Sequence, residues 1–207
     1  MALEKLHEEK DRAWALWRIS EPADELLAHV RGIDTLPPAV TNPAKQLEHL
    51  AGRALVSHLM ATLGMTYQGL RKDEFGKPYA QGYDLHLSLS HSYPYVAAIV
   101  DKTKTVGIDL EQPKDKLLRV APRVLSPAEL ADAGTDPVKH CVIWCAKETL
   151  IKIYGKKDLI LAQNLQVDPF ILAPEGHILG KIIVNGIETR VPLQYFVTHE
   201  FVVALNT

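Results

Sequence analysis

Asp109 and Glu111 stand two residues apart in the run Val106-Gly107-Ile108-Asp109-Leu110-Glu111. Alternate residues of a strand face the same way, so both carboxylates would project together, about 7 Å apart along the backbone, with Ile108 and Leu110 turned to the core. Two like charges aimed at one spot repel unless a cation or a proton lies between them. A hard ion such as Mg²⁺ meets that need, because it takes a few carboxylates and leaves the rest of its shell to water and phosphate oxygens. Taken alone, the pair reads more simply as a solvated strand edge bearing two acids.

A second group lies on the run Trp144-Cys145-Ala146-Lys147-Glu148, followed by Lys152 and Gly155. Trp144, Glu148 and Lys152 recur at four-residue spacing and share one flank of a helix, with Val142, Ala146, Leu150 and Ile153 forming an apolar stripe on another. Glu148 is then placed to act as a third metal ligand or a general base, and Lys152 to reach an anion. The simpler alternative is an exposed Glu-to-Lys pair. A third group, Ser88-Leu89-Ser90-His91-Ser92, offers hydroxyls, an imidazole and backbone N–H groups at a strand end, which suits a phosphate or a plain capped turn. Ser beside His invites a hydrolase reading, but strand neighbours point to opposite faces and the G-x-S-x-G context is absent. Arg53 on a helix and Lys77 in a loop add positive charge that means nothing by itself. Neither a Walker-type phosphate loop nor G-x-G-x-x-G occurs. His140, Cys141 and Cys145 make a poor zinc set and fit an apolar helix face better.

The elements that must position these groups are legible in outline. Trp14 to Ile19 alternates like a strand, and Pro22 opens a short helix to about Arg31. Asn42-Pro43 starts a longer helix that Gly64 ends, with a stripe of Leu47, Leu50, Ala54, Leu55, Leu59 and Leu63. The alternation from Leu85 to Leu89 predicts a half-buried strand that gives way to a loop at Ser90-His91-Ser92. Tyr95 to Val100 is a buried strand, and Thr105 to Glu111 another. Ser126-Pro127-Ala128-Glu129 has the form of a capping box, and Asp136-Pro137 opens a helix that runs to Tyr154 and closes at Gly155. Strands follow at Leu165 to Val167, Ile178 to Val184, Ile187 to Val191 and Tyr195 to Leu205, with Asn185-Gly186 as a hairpin turn. This order predicts an α+β architecture in two similar halves, 1–102 and 103–207, meeting near Asp101 to Thr105.

Composition narrows the classes. The 207 residues carry 23 basic and 25 acidic side chains, a formal charge of −2, so nothing favours nucleic acid or a membrane surface. Any anion is expected to be small and gripped locally. No apolar run approaches the roughly 20 residues a membrane helix needs, and the Glu- and Lys-rich start from Met1 to Arg12 lacks the apolar stretch of a secretory signal. Two cysteines four apart make no disulfide framework. The expectation is a cytoplasmic globular protein.

Taken together, Gly76-Lys77-Pro78, Ser90-His91-Ser92, Gly107-Ile108-Asp109-x-Glu111 and Trp144-x-x-Lys147-Glu148-x-x-x-Lys152-x-x-Gly155 resemble, in order and approximate spacing, the Sfp-type 4′-phosphopantetheinyl transferases. The resemblance covers residues 70 to 160 well and the flanks only in element order. It implies two pseudo-symmetric α/β halves with the active site between them, usually as a monomer. It implies transfer of phosphopantetheine from coenzyme A to a serine of an apo acyl or peptidyl carrier protein, releasing 3′,5′-ADP, with Mg²⁺ or Mn²⁺ as cofactor. By position, Asp109, Glu111 and Glu148 would hold the metal, and Glu148, or else Glu111, would activate the serine. Lys152 would hold a phosphate oxygen. Gly76, Lys77 and Pro78 would line the nucleotide, Ser90 and His91 would bind coenzyme A phosphates, and Arg53 is similar to a helix arginine on the 3′-phosphate.

Lys116, Arg119 and Arg123, with Lys114 just before them, would share a helix face suited to steering an acidic carrier, or simply a solvated one. The competing functions are a metal-dependent phosphodiesterase or nucleotide hydrolase that uses water in place of serine, and a coenzyme A-binding or carrier-binding module without activity.

Overall fold

The computed structural model describes residues 2–156 and 158–207; Met1, the start of the Glu- and Lys-rich segment, and Lys157 lie outside the described residues. The chain divides into two units, Met1–Val106 and Gly107–Thr207. Each is α+β, with its own apolar core.

The first unit begins with a hairpin of β1 (Ala2–Glu8) and β2 (Arg12–Arg18), followed by a short α1 (Ala23–Leu27) and a 3₁₀ turn at Gly32–Asp34. Then come α2 (Pro43–Thr62), β3 (Leu70–Lys72), β4 (Pro78–Ala80), β5 (His86–Ser92) and β6 (Tyr95–Asp101). Strands β1, β2, β6 and β5 form an antiparallel sheet in that order, and β3 and β4 pair separately. Every residue of β6 is buried, as its unbroken apolar run requires of a central strand. The Asn42 side chain caps α2 by accepting from Ala44 N and Lys45 N, and Pro43 follows in the first turn. Leu50, Leu55, Leu59 and Met60 of α2 are fully buried with Trp17 and Val96 of the sheet. Gly52 lets the helix approach, since a Cβ there would lie 2.8 Å from the Leu89 side chain.

Two expectations are corrected here, and one strand was not foreseen. The strand expected to end before Ser90-His91-Ser92 continues through them, because the turn at Tyr93-Pro94 brings Tyr95 back opposite Ser92 and the ladder runs to that turn. The first helix is shorter than Pro22 to Arg31. And β1, unmarked by any apolar run, forms as an edge strand on the strongly apolar β2, which supplies the burial that β1 lacks.

The second unit contains β7 (Ile108–Glu111), α3 (Lys116–Val124), α4 (Pro127–Ala133), α5 (Pro137–Tyr154), α6 (Leu161–Asn164), β8 (Leu165–Val167), β9 (Glu175–Val184), β10 (Ile187–Val197) and β11 (Val202–Asn206). Its antiparallel sheet has the order β7-β11-β10-β9-β8. The capping box at Ser126 and Glu129 is formed, Asp136 caps α5, and Gly155 closes it at φ 82°. Asn185 and Gly186 both have positive φ, the conformation a two-residue hairpin turn needs. The strands expected at Ile187 to Val191 and Tyr195 to Leu205 are divided differently: β10 runs unbroken to Val197. The chain then turns where the Thr198 hydroxyl accepts from Glu200 N and Phe201 N. The units share one long helix on an antiparallel sheet, but their strand numbers and orders differ. Among the described residues, no helix is long and apolar enough to cross a membrane.

Candidate active site

In the second unit, α5 packs against β7 and β11, and that contact sets the acidic group. Thr149 Oγ1 donates to Ala204 O at 2.9 Å, and Ala204 pairs with Asp109 in the neighbouring strand. Gly107, just before β7, lies so close to α5 that a Cβ there would be 2.5 Å from the Thr149 carbonyl oxygen. Its N–H donates to Asn206 Oδ1 at 2.9 Å, which ties the entry of β7 to the end of β11.

With the elements held this way, Asp109 is buried and Lys152 Nζ lies on it, 2.7 Å from Oδ1, while also donating to Ile108 O at 2.8 Å. Glu148, one turn before Lys152, is half-buried. Burial pushes its carboxyl above the ordinary range; the Asp109 charge adds to that rise and Lys152 opposes it. Glu148 and Lys152 thus face the strand together rather than forming an exposed helix pair. Glu111 lies toward the unit's surface, with Lys116 Nζ 3.7 Å away, and its Oε1 accepts from Gln112 N at 2.8 Å. Among the described residues, no three His, Cys, Asp or Glu side chains stand as a ready-made metal cluster. The chemistry of the donors nevertheless suits a hard cation: Asp109 and Glu148 are both oxygen ligands, the Asp109 charge adds to the cost of ionising Glu148, and a divalent ion would relieve it.

Lys147, next to Glu148 in sequence, points the other way. Its side chain is 1% exposed, forms a 2.6 Å ion pair with the equally buried Glu129, and donates to Val124 O and Leu161 O. Cys141 and Cys145 are free thiols in the core, and burial pushes Cys145 well up.

The first unit holds a cavity of about 490 Å³. Of the residues singled out for coenzyme A, Arg53, Gly76, Pro78 and His91 line it; Ser90 is buried within β5, and Lys77 is not among the lining residues. Burial lowers the Lys77 ammonium, with Asp73 opposing. Arg53 is held from below: its Nε lies 3.4 Å from Asp34 Oδ1, and its Nη1 donates to His49 O at 3.1 Å. Asp34 is itself buried and accepts from the Tyr67 hydroxyl and Leu70 N, both at 2.9 Å. Sequence reasoning missed Lys45, Glu48, His49 and Lys72, which also line the cavity. A signal was present, since Lys45, His49 and Arg53 recur at four-residue spacing along α2.

Residues 105–205 match the family model of the 4′-phosphopantetheinyl transferase superfamily. That stretch is similar to the 4′-phosphopantetheinyl transferases. The chain is 35% identical over 115 residues to a 4′-phosphopantetheinyl transferase of Bacillus subtilis, an alignment covering 51% of this chain and 48% of that protein. It is 33% identical over 116 residues to the 4′-phosphopantetheinyl transferase psf-1 of Bacillus pumilus, covering 52% and 49%. It is 35% identical over 91 residues to the 4′-phosphopantetheinyl transferase Sfp of Bacillus subtilis (strain 168), covering 40% and 39%. The matches thus span about half or less of the length of these curated transferases. The superfamily segment contains Asp109, Glu111, Glu148 and Lys152, and begins two residues before Gly107.

Proposed function

We propose that this chain transfers the 4′-phosphopantetheine group of coenzyme A to a serine of an apo acyl or peptidyl carrier protein, acting as a cytoplasmic monomer. The observation that carries the reading is the coincidence of two things: the superfamily match over 105–205, and within it a buried Asp109 bonded to Lys152 beside a Glu148 whose carboxyl is raised.

Asp109, Glu148 and Glu111 would hold Mg²⁺, with Mn²⁺ an alternative; such an ion, when bound, neutralises pyrophosphate charge and favours departure of the nucleotide. Glu148 takes the proton of the carrier serine, a role suited to a carboxyl that burial has made more basic than usual, with Glu111 the alternative base. The serine oxygen forms its bond to the phosphorus that bears pantetheine, and the bond from that phosphorus to the 3′,5′-ADP oxygen breaks. An ammonium has three donors, so Lys152 can hold Asp109 and Ile108 and still reach a phosphate oxygen. Arg53, His91, Gly76 and Pro78 are assigned to the nucleotide, with Lys77 and Ser90 as neighbouring contacts. Positioning and charge neutralisation are what phosphoryl-type transfer asks of a protein, and no nucleophilic side chain is needed.

The test incubates the protein with coenzyme A, Mg²⁺ and a panel of apo carrier proteins and weighs the carriers. A carrier that gains one phosphopantetheine supports the reading. Coenzyme A cleaved without a carrier identifies a phosphodiesterase, and binding without either product identifies a coenzyme A-binding module.

A further inference from the structure

Glu48 is buried on the inner side of the first unit's cavity, its side chain 1% exposed, and three donors converge on it. Lys45 Nζ is 2.6 Å from Oε2, His91 Nδ1 is 3.1 Å from the same oxygen, and Tyr93 N donates to Oε1 at 2.9 Å. Burial alone would push this carboxyl up; the contacts with His91, Lys45 and Tyr93 outweigh it and bring it to about 2. Glu48 is therefore an anion throughout the range in which an enzyme works.

An acid inside a cavity assigned to a phosphate looks misplaced, because it subtracts positive charge. Its geometry suggests what it gains. Lys45 and His91 come from α2 and β5, and their side chains are 57% and 45% exposed, so on their own each would sample several rotamers. They meet on one carboxylate oxygen. With Nδ1 held 3.1 Å from the Glu48 carboxylate, the ring presents Nε2 on its far side, where the imidazolium form carries a second N–H donor. The other charged or titratable groups lining this cavity are His49 and Arg53 from α2 and Lys72 from β3. Arg53 already has its own buried anchor in Asp34.

We propose that Glu48 is a positioning residue that fixes Lys45 and His91 as a pair of N–H donors for one phosphate group of the nucleotide substrate. The proposal rests on the transferase reading above. Glu48 does not touch the phosphate; it removes the rotamer freedom that two half-exposed donors would otherwise lose on binding.

Glu48→Gln tests this, since glutamine keeps an acceptor for Tyr93 N and nearly the same volume but loses the charge. The KM for coenzyme A should rise about tenfold, with kcat and the carrier KM within about twofold, and Glu48→Asp should fall between wild type and Glu48→Gln. Affinity for 3′,5′-ADP, measured by calorimetry without carrier, should fall in parallel. In a His91→Asn background the same change should add less than about threefold, because its partner is already gone. The proposal is overturned by unchanged coenzyme A KM and 3′,5′-ADP affinity, by an equal effect in both backgrounds, or by a loss confined to kcat. If Glu48→Gln does not fold, Lys45→Met and His91→Asn replace it: effects on 3′,5′-ADP binding that are less than additive support the pair, and full additivity overturns it. Wild-type protein that binds 3′,5′-ADP in a Glu48-dependent way yet modifies no carrier sinks the transferase reading alone. Carrier modification that is indifferent to Glu48 sinks this proposal alone, and wild-type protein that binds neither coenzyme A nor 3′,5′-ADP sinks both.

Discussion

Lys152 Nζ lies 2.7 Å from Asp109 Oδ1, across a sequence separation of 43 residues, and the same ammonium donates to the Ile108 carbonyl. The last turn of α5 is thereby bonded to both a side chain and the backbone of β7. Glu148, one turn earlier, faces the same strand, so the distance between helix and strand controls the whole acidic group.

Gly107 sets the approach. An alanine Cβ would lie 2.5 Å from the Thr149 carbonyl oxygen and 2.9 Å from Ile153 Cγ1, and the first of these is backbone that cannot rotate away. Gly107→Ala should therefore force β7 from α5, at about 1–3 kcal/mol of stability, and lower carrier modification by at least about tenfold. Urea unfolding and the carrier mass assay check this; a variant as stable and active as wild type would mean that the close approach is not needed.

Glu148 is held in a place that disfavours its charge, for burial raises its carboxyl and Asp109 adds to it. A carboxyl whose folded pKa is raised costs nothing below its unfolded pKa and destabilises as pH rises through the folded value. Glu148→Gln should thus raise the melting temperature at neutral pH, and the gain should shrink as the pH falls into the range where the wild-type carboxyl is protonated. As the proposed base, the same change should lower kcat by about 10²–10⁴. Stability that drops at neutral pH, or activity that survives, would contradict the assignment.

Lys147 and Glu129 form an ion pair that is nearly solvent-free. The ammonium also bonds the ends of α3 and α6, while Glu129 accepts from Val167 N. Removing one partner strands a buried charge, so Lys147→Met should cost about 3–5 kcal/mol in chemical denaturation. Its effect on activity should follow the folded fraction rather than the coenzyme A KM. A small stability change, or a selective rise in that KM, would assign Lys147 to the substrate instead.

Arg119 and Arg123 are exposed on α3, while Leu117 and Ala121 of the same helix are buried. Charge reversal at both arginines should raise the KM for an acidic carrier several-fold, most at low salt, and leave coenzyme A affinity unchanged. Carrier kinetics that do not respond would leave this face as ordinary solvated surface.

Local chemistry carries far in this protein. Asn42-Pro43, Ser126-Pro127 and Asp136-Pro137 start helices because each cap and its proline act within one turn. Asn185-Gly186 turns a hairpin because its residues tolerate positive φ. The order of Asp109, Glu111, Glu148 and Lys152 is equally local, which is why a family resemblance is visible in the residues themselves. What depended on distant partners was not legible. Strand β1 forms because β2 offers an apolar edge, and β5 runs on through Ser92 because β6 returns beside it.

The deepest difference lies in adjacent residues of one motif. Helical spacing alone puts Lys147 and Glu148 on one helix with Lys152 a turn further on. It is the packing of distant elements that seals Lys147 in the core against Glu129 and turns Glu148 and Lys152 to Asp109. The same holds for Glu48, one of many helix acids until β5 brings His91 to within 3.1 Å of it. A side chain's type and helical phase follow from the local chain, but its ionisation cost and its partners depend on which other elements exclude water around it.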